Sequence, residues 1–262
     1  MTEPLFLIEF DAGSAPGSLL PSIGELVELD GAEGRHAALV RRVGAGDWVL
    51  LSDGCGRGVR GEVVSATRTG LTVRVAGHLT SPQPSRRIIA VQALAKGDRA
   101  ELAVEAMTEV GVDEIVPWQA SRSVVRWDGD RGDRSRDKWQ TTAREAAKQS
   151  RRLRTPVVHP AASTREVAAM IKEVAAAVVL HEEATDWLDS DALPAGPIMI
   201  IVGPEGGVSG SELAAFVAAG ATSVLVSDGV LRTSTAGVVA VATLREHGGS
   251  GPGRLQVGGT GR

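Results

Sequence analysis

The run PIMIIV, from Pro197 to Val202, is apolar without interruption and is closed by Gly203. A strand with one face in water alternates apolar and polar side chains, so an unbroken run of this kind describes a strand buried on both faces. Such a strand needs helices on each side of its sheet, and the neighbouring sequence supplies them. SGSELAAFVAAG offers Ser209 as N-cap, Glu212 at the reciprocal position and Gly220 as terminator. SVLVS reads as another buried strand and STAGVVAVATLREHG as a final helix. Upstream, RIIAVQAL and DEIVPW read as strands. Between them, Asp98 is placed to cap a helix over Ala100 to Val110, with Glu101 three residues on and Gly111 ending it. An Ala-rich helix from about Arg136 to Gln149, a short TPVV strand, a helix starting near Ser163 and the strand AAAVVL continue the alternation. Strands alternating with helices indicate an α/β fold built on a parallel sheet.

The first eighty residues differ, with short β segments such as GDWVLLSDG, RGEVVSA and GLTVRVAG between Gly and Asp turns. They predict a small β-barrel over residues 1–79. TSPQPS carries two prolines and no apolar period, which predicts a linker over 80–86. The α/β domain then covers 87–247, and the Gly-rich tail 248–262 reads as disordered. A single cysteine, Cys55, excludes an internal disulfide and a cysteine-rich metal site, so no metal is expected, and this fits a reducing cytoplasm. The N-terminus lacks the basic start and apolar run of a secretory signal, and the apolar stretch Val167 to Leu180 is interrupted by Lys172 and Glu173, so no membrane segment is expected. The net charge is −4, yet Arg122 to Arg154 holds eleven Lys or Arg against five Asp or Glu. Alone, that stretch reads as a solvated charged loop; with an RNA partner it becomes a phosphate-binding face.

Two loops carry the chemistry. GPEGG, Gly203 to Gly207, leaves a buried strand at the carboxyl edge of the sheet, where ligands of open α/β folds bind. Neither G-x-G-x-x-G nor a P-loop can be laid on the chain, which disfavours a dehydrogenase or an NTPase. LVSDGVLRTSTAG, Leu225 to Gly237, also leaves a strand and enters a helix. Ser234 or Thr235 reads there as an N-cap and Arg232 as either a surface charge or a ligand-facing cation. Two such loops in succession suggest one shared pocket.

GPEGG before a capped helix and LRTSTAG opening the last one resemble the SPOUT methyltransferases, and in particular the RsmE family. AKGDRAELAVEAMTEVGVDEIVPWQASRSVV is similar to that family's K-x-x-R, E-x-G-V-x-E-I-x-P and R-S segments, through Lys96, Arg99, Glu109, Gly111, Val112, Glu114, Ile115, Pro117, Arg122 and Ser123. EAAKQSRR, with Glu145, Gln149, Ser150 and Arg152, resembles its E-A-x-x-Q-S-x-R helix end, and GRHAALVRRVGAGD, with His36, Arg42, Gly46 and Asp47, its N-terminal helix and turn.

The resemblance implies a C-terminal SPOUT domain with a deep trefoil knot and an N-terminal PUA-like RNA-binding barrel. It implies S-adenosylmethionine as cofactor and methylation of N3 of a uridine in 16S rRNA, within the 30S subunit, by a cytoplasmic homodimer. Cofactor contacts would come from Leu180, His181, Gly203, Pro204, Glu205, Gly206, Gly207, Leu225, Val226, Ser227, Val230, Leu231, Arg232, Thr235 and Ala236. Arg232 would also be the catalytic cation, and His181 has a base's chemistry while being as readily structural. RNA contacts would come from Arg42, Lys96, Arg99, Arg122, Arg126, Arg151, Arg152 and Arg154. The chain departs from the family pattern at Ser227, Asp228, Gly229 and Ser234. Another RNA target, or a non-catalytic RNA-binding assembly factor, are the alternatives.

Overall fold

A computed structural model describes residues 3–10 and 20–246; the Gly-rich tail lies outside the described residues. The described residues divide into two compact units, one of those up to Gln83 together with Ala147–Thr155, the other of Pro84–Ala146 and residues 156–246.

The first unit holds strands β1 (Leu5–Leu7), β2 (Leu26–Leu29), β3 (Trp48–Ser52), β4 (Arg57–Ala66) and β5 (Leu71–Thr80), in the order β1-β3-β4-β5-β2. The β1–β3 pairing is parallel and the others antiparallel. In β5 the side chains of Leu71, Val73, Val75 and Leu79 are buried while Arg74 and Ala76 are exposed, the alternation of a half-buried strand. Helix α1 (Gly31–Arg35) runs into a π turn at His36–Val40. Residues 147–155 join this unit with no signal in the sequence. Leu153 is buried among Leu5, Leu7, Leu50 and Leu79, and its carbonyl accepts from Gly56 N at 2.8 Å and from Ser52 Oγ at 3.1 Å. Lys148, nearly buried, pairs with Glu33 at 2.8 Å.

The second unit is a mixed α/β fold. Its strands β6 (Ile88–Ala93), β7 (Glu114–Trp118), β8 (Val157–Val158), β9 (Ala176–Leu180), β10 (Ile198–Val202) and β11 (Thr222–Val224) form one parallel sheet, ordered β11-β9-β10-β6-β7-β8. Helices α2 (Arg99–Val110), α3 (Gly129–Gln149), α4 (Thr164–Ile171), α5 (Gly210–Ala219) and α6 (Thr233–Glu246) lie between and after these strands. All five residues of β10 are buried. Ile198, Ile200 and Val202 join one apolar cluster with Val104, Met107, Trp139, Val241 and Leu244. Met199 and Ile201 join the opposite one with Trp118, Val167, Ile171 and Phe216. Both faces of the sheet are covered, as the unbroken apolar run requires.

Three local expectations change. Asp98 stands at the N-cap of α2 but its side chain makes no cap bond, because its backbone is already helical (φ −70, ψ −5) and the carboxylate is not aimed at the first turn. Helix α3 starts at Gly129, so the charged stretch read as a loop is helical. Trp139, Ala143 and Ala146 bury one stripe of it and the charges occupy the other side. Helix α6 starts at Thr233, ahead of the expected caps Ser234 and Thr235, with the Arg232 carbonyl accepting from Thr235 N and Ala236 N. Ser209 and Glu212 do form a reciprocal capping box, as do Ser163 and Glu166. Among the described residues no helix is long and apolar enough to cross a membrane, and no cluster of metal-ligating side chains occurs.

Candidate active site

Parallel pairing sets the geometry. Val202 of β10 is level with Gln92 of β6 and with Leu180 of β9, and Leu180 is level with Val224 of β11. Three of these strands thus end in one row and β6 ends one residue beyond it, at Ala93, so the loops that follow each of them leave the same edge of the sheet.

The loop after β9 is pinned at its root, where His181 N donates to Val224 O at 3.2 Å. His181 Nδ1 accepts from Glu183 N at 3.2 Å within a tight turn, which favours the structural reading of this half-buried histidine over a base. In the GPEGG loop Gly207 N donates to Pro204 O at 2.9 Å, and Gly207 takes φ +72, a conformation that resists side chains. Pro204 is buried, while Glu205 and Gly206 are exposed. Gly203 is half-buried, and a Cβ there would lie 2.9 Å from the Val208 side chain, so the loop folds closely on itself. Arg122 Nη1 donates to Gly206 O at 2.8 Å, and Arg99 lies 3.6 Å from Glu205 as an exposed ion pair.

In the third loop Leu225 N donates to Asp186 O at 2.7 Å and Leu188 N to Leu225 O at 2.8 Å, which ties it to the loop after β9. Val226 and Leu231 are half-buried against the core, and Val230 is 82% exposed. Ser227 Oγ accepts from Gly229 N at 3.2 Å, so Ser227 to Gly229 close a local turn. Arg232 is exposed and makes no side-chain hydrogen bond among the described residues. Thr235 is exposed, whereas Ala236 is buried in the core cluster and faces away from solvent.

A buried relay joins the edge. Thr233 Oγ1 donates to Gly203 O at 2.8 Å and stands 2.9 Å from Gln92 Nε2. A hydroxyl has one proton, and here it goes to Gly203, so the Gln92 amide must donate and its orientation is set by the network. Gln92 Oε1, fully buried, is left without a protein partner. Gly237, one turn into α6, admits this approach: a Cβ there would lie 2.7 Å from Met107 Sδ and 3.3 Å from Val202 Cγ2.

Residues 81–245 match the family model described as an RNA methyltransferase domain. The chain belongs to this RNA methyltransferase family. A ribosomal RNA small subunit methyltransferase E from Mycobacterium bovis is 45% identical over 230 residues, covering 86% of this chain and 88% of that one. A protein of the same description from Bacillus subtilis is 28% identical, over 82% of this chain and 88% of its own. Among solved structures, a ribosomal RNA small subunit methyltransferase E from Neisseria gonorrhoeae bound to S-adenosyl methionine superposes with a TM-score of 0.79. It is 25% identical and covers 94% of this chain and 98% of that one. The family resemblance carried by the motifs from Lys96 to Gly237 is confirmed.

In this member of the RNA methyltransferase family, the residues expected to meet RNA take different positions. Lys96, Arg99, Arg122 and Arg126 are exposed on the second unit, with Arg122 and Arg99 also reaching the GPEGG loop. On the first unit, Arg42 and Arg151 are exposed, both with positive φ, and Arg152 is half-buried. Arg154 is half-buried and its Nε donates to Ser81 O at 3.0 Å, a bond inside that unit.

Gln92 and the second role of Glu212 were missed from sequence. Gln92 had a signal, being the one polar residue inside the apolar strand RIIAVQAL. Glu212, besides closing its capping box, accepts from Ser121 N at 2.7 Å, Ser121 Oγ at 2.9 Å and Thr164 Oγ1 at 3.1 Å. Burial alone would raise its pKa, but the hydrogen bonds from Ser209 and Ser121 outweigh it and hold the carboxyl below its ordinary value.

Proposed function

We propose that this chain transfers a methyl group from S-adenosylmethionine to N3 of a uridine in 16S rRNA of the small ribosomal subunit. The observation that carries this reading is the single row formed by Gln92 and the strand ends Val202, Leu180 and Val224, at which three mutually bonded loops leave one edge.

The loops fit the cofactor. Among the described residues, the backbone N–H groups of Glu205, Gly206, Val226 and Leu231 have no protein acceptor, and the side chains of Leu180, Leu225 and Leu231 are only half-buried. Free main-chain donors beside apolar surface suit an adenine ring and a polar tail. Leu180, His181, Gly203 to Gly207, Leu225 to Ser227, and Val230 to Arg232 with Thr235 would hold the cofactor, Ala236 acting from beneath as packing. When bound, S-adenosylmethionine supplies a methyl carbon activated by its sulfonium. What the protein must add is alignment and a place for negative charge on the base. Uridine N3 reacts without its proton, and the unpaired guanidinium of Arg232 is free to hold the resulting anion by a charge-assisted hydrogen bond.

The path of the chain supports the knot. Residue 225 is hydrogen-bonded to residues 186 and 188 of the loop after β9, and the chain then returns to Gly203 and Gln92 at Thr233. The five-stranded sheet of the first unit supports a PUA-like barrel with an RNA-binding role. A homodimer in the cytoplasm completes the reading. Val238 and Val239 of α6 are only half-buried and available to a partner, while Val241 and Leu244 are used in the protomer core.

Methyl transfer to purified 30S subunits and to naked 16S RNA, followed by mapping of the modified base, tests the assignment. The expected product is a single N3-methyluridine, and a methyl group on another base or on tRNA overturns it. Calorimetry with S-adenosylmethionine separates the enzyme from a non-catalytic RNA-binding factor, which would show no heat of binding. Full turnover by Arg232→Ala would remove that side chain from the mechanism.

A further inference from the structure

Beside the end of β6 lies an open cavity of about 260 Å³, and next to it an equally open cleft of about 470 Å³; Val125 lines both. We propose that the smaller one receives an unpaired nucleobase of the RNA substrate, and that the cleft carries the adjoining phosphates. This rests on the methyltransferase reading above and adds to it a site for the RNA strand.

The walls of the cavity have the chemistry of a base-stacking site. Trp127 is half-buried and lines the cavity, and its ring meets that of the buried Trp139 in a T-shaped contact, with centroids 4.8 Å apart and an interplanar angle of 73°. The buried ring holds the other in place, and Trp127 N donates to Gln119 Oε1 at 3.2 Å, which anchors the backbone. A rigid aromatic face stacks any base at little entropic cost. Leu94 and Val125 add apolar surface, and the rim is polar. Asp98 makes no side-chain hydrogen bond, and Lys138 is paired with Glu101 at 2.8 Å. A carboxylate and an ammonium offer an acceptor and a donor to the edge of a base. At about 260 Å³ the space falls below the roughly 300–1,000 Å³ of pockets for larger ligands and suits one heterocycle.

Position agrees with this occupant, and the charge of the neighbouring cleft suits the strand that would carry it. Leu94 follows the strand whose Gln92 stands in the row of cofactor-loop roots, and Arg99, between the lining residues Asp98 and Ala100, reaches Glu205 of the GPEGG loop. The open cleft is lined by Arg126 and Arg131 against one carboxylate, Asp128, a surplus of cation suited to a phosphate backbone.

The test uses the full chain, an oligouridylate and purified 16S RNA, with affinity, photo-crosslinking from 5-bromouridine, S-adenosylmethionine affinity and methyl transfer all measured. Trp127→Leu is expected to weaken RNA binding roughly five- to a hundredfold, the range of one lost base–aromatic stack, with cofactor affinity unchanged. Trp127→Phe should restore most of the loss, and crosslinks should map to the segment 124–131. Val125→Phe keeps the Trp127–Trp139 packing and fills the cavity, so it should weaken RNA binding even if Trp127→Leu fails to fold. Wild-type RNA affinity in folded Val125→Phe, or crosslinks confined to other segments, overturns the base site and leaves the methyltransferase reading intact. A wild-type protein that binds RNA but transfers no methyl group overturns that reading and leaves the base site standing.

Discussion

Helices α5 and α6 both begin just after a strand at the same sheet edge, yet they are started by different means. Helix α5 is capped by its own sequence, with Ser209 and Glu212 bonded reciprocally across three residues. Helix α6 has no such cap: the hydroxyl of Thr233 is turned to Gly203 O and to the Gln92 amide, 30 and 141 residues away. One helix start can be read locally and the other is a tertiary junction. The contrast is not complete, since Glu212 also accepts from Ser121 and Thr164, and so ties the α5 cap to the segment after β7 and to the first residue of α4.

The largest expected effect is at that double-duty carboxylate. Glu212→Ala leaves the Ser121, Thr164 and Ser209 donors without their acceptor and is expected to cost about 2–3 kcal/mol in denaturant unfolding. If it costs no more than loss of a cap, Glu212 is local after all. Its pH dependence follows from the sign of its shift. The folded carboxyl lies below the ordinary 4.5, so its contribution is fully present above that pH and is lost as pH falls through the lower folded value. Glu212→Gln should flatten the acid limb of the stability profile.

Next in size is Thr233→Val, which removes the hydroxyl donor to Gly203 O and leaves Gln92 Nε2 only its long bonds to Ala93 O and Thr233 O at 3.4 Å, at about 1–3 kcal/mol. Because Gly203 opens the GPEGG loop, S-adenosylmethionine affinity measured by calorimetry should fall as well, and Thr233→Ser should recover it. A stability loss with unchanged cofactor affinity would confine the relay to folding.

Ser209→Ala removes the cap bond from Glu212 N together with one exposed contact from Ser121 Oγ at 3.2 Å, and is expected to cost about 1 kcal/mol. Asp98→Ala is the smallest change, within about 0.5 kcal/mol, because Asp98 occupies a cap position without making the bond. Equal losses in these two variants would break the distinction between a cap residue present in sequence and a cap formed in structure.

The sheet was largely legible for the same reason that Ser209 was. PIMIIV is buried on both faces because nothing polar interrupts it, and β10 is the buried centre-left of the sheet it predicts. The charged run DGDRGDRSRDK misled because its composition resembles a loop, while the apolar stripe that makes it a helix, Trp139, Ala143 and Ala146, begins only beyond it. The site was legible as two Gly- and hydroxyl-rich loops, but not as a connected edge. Ala236 looked like a ligand contact and is core; Arg154 looked like an RNA contact and bonds to Ser81 O.

Short-range order was therefore determined by the chain itself. Apolar runs, capping boxes and helix-ending glycines such as Gly111 and Gly220 depend on neighbours a few residues apart, and the ordered motifs from Lys96 to Gly237 specified the family. Only the tertiary structure decided that Gln92, Val202, Leu180 and Val224 stand in one row, that the Thr233 hydroxyl donates to Gly203, and that residues 147–155 pack with the first unit. Those facts depend on strand order and register, which arise from packing among segments far apart in the chain and leave no local pattern to read.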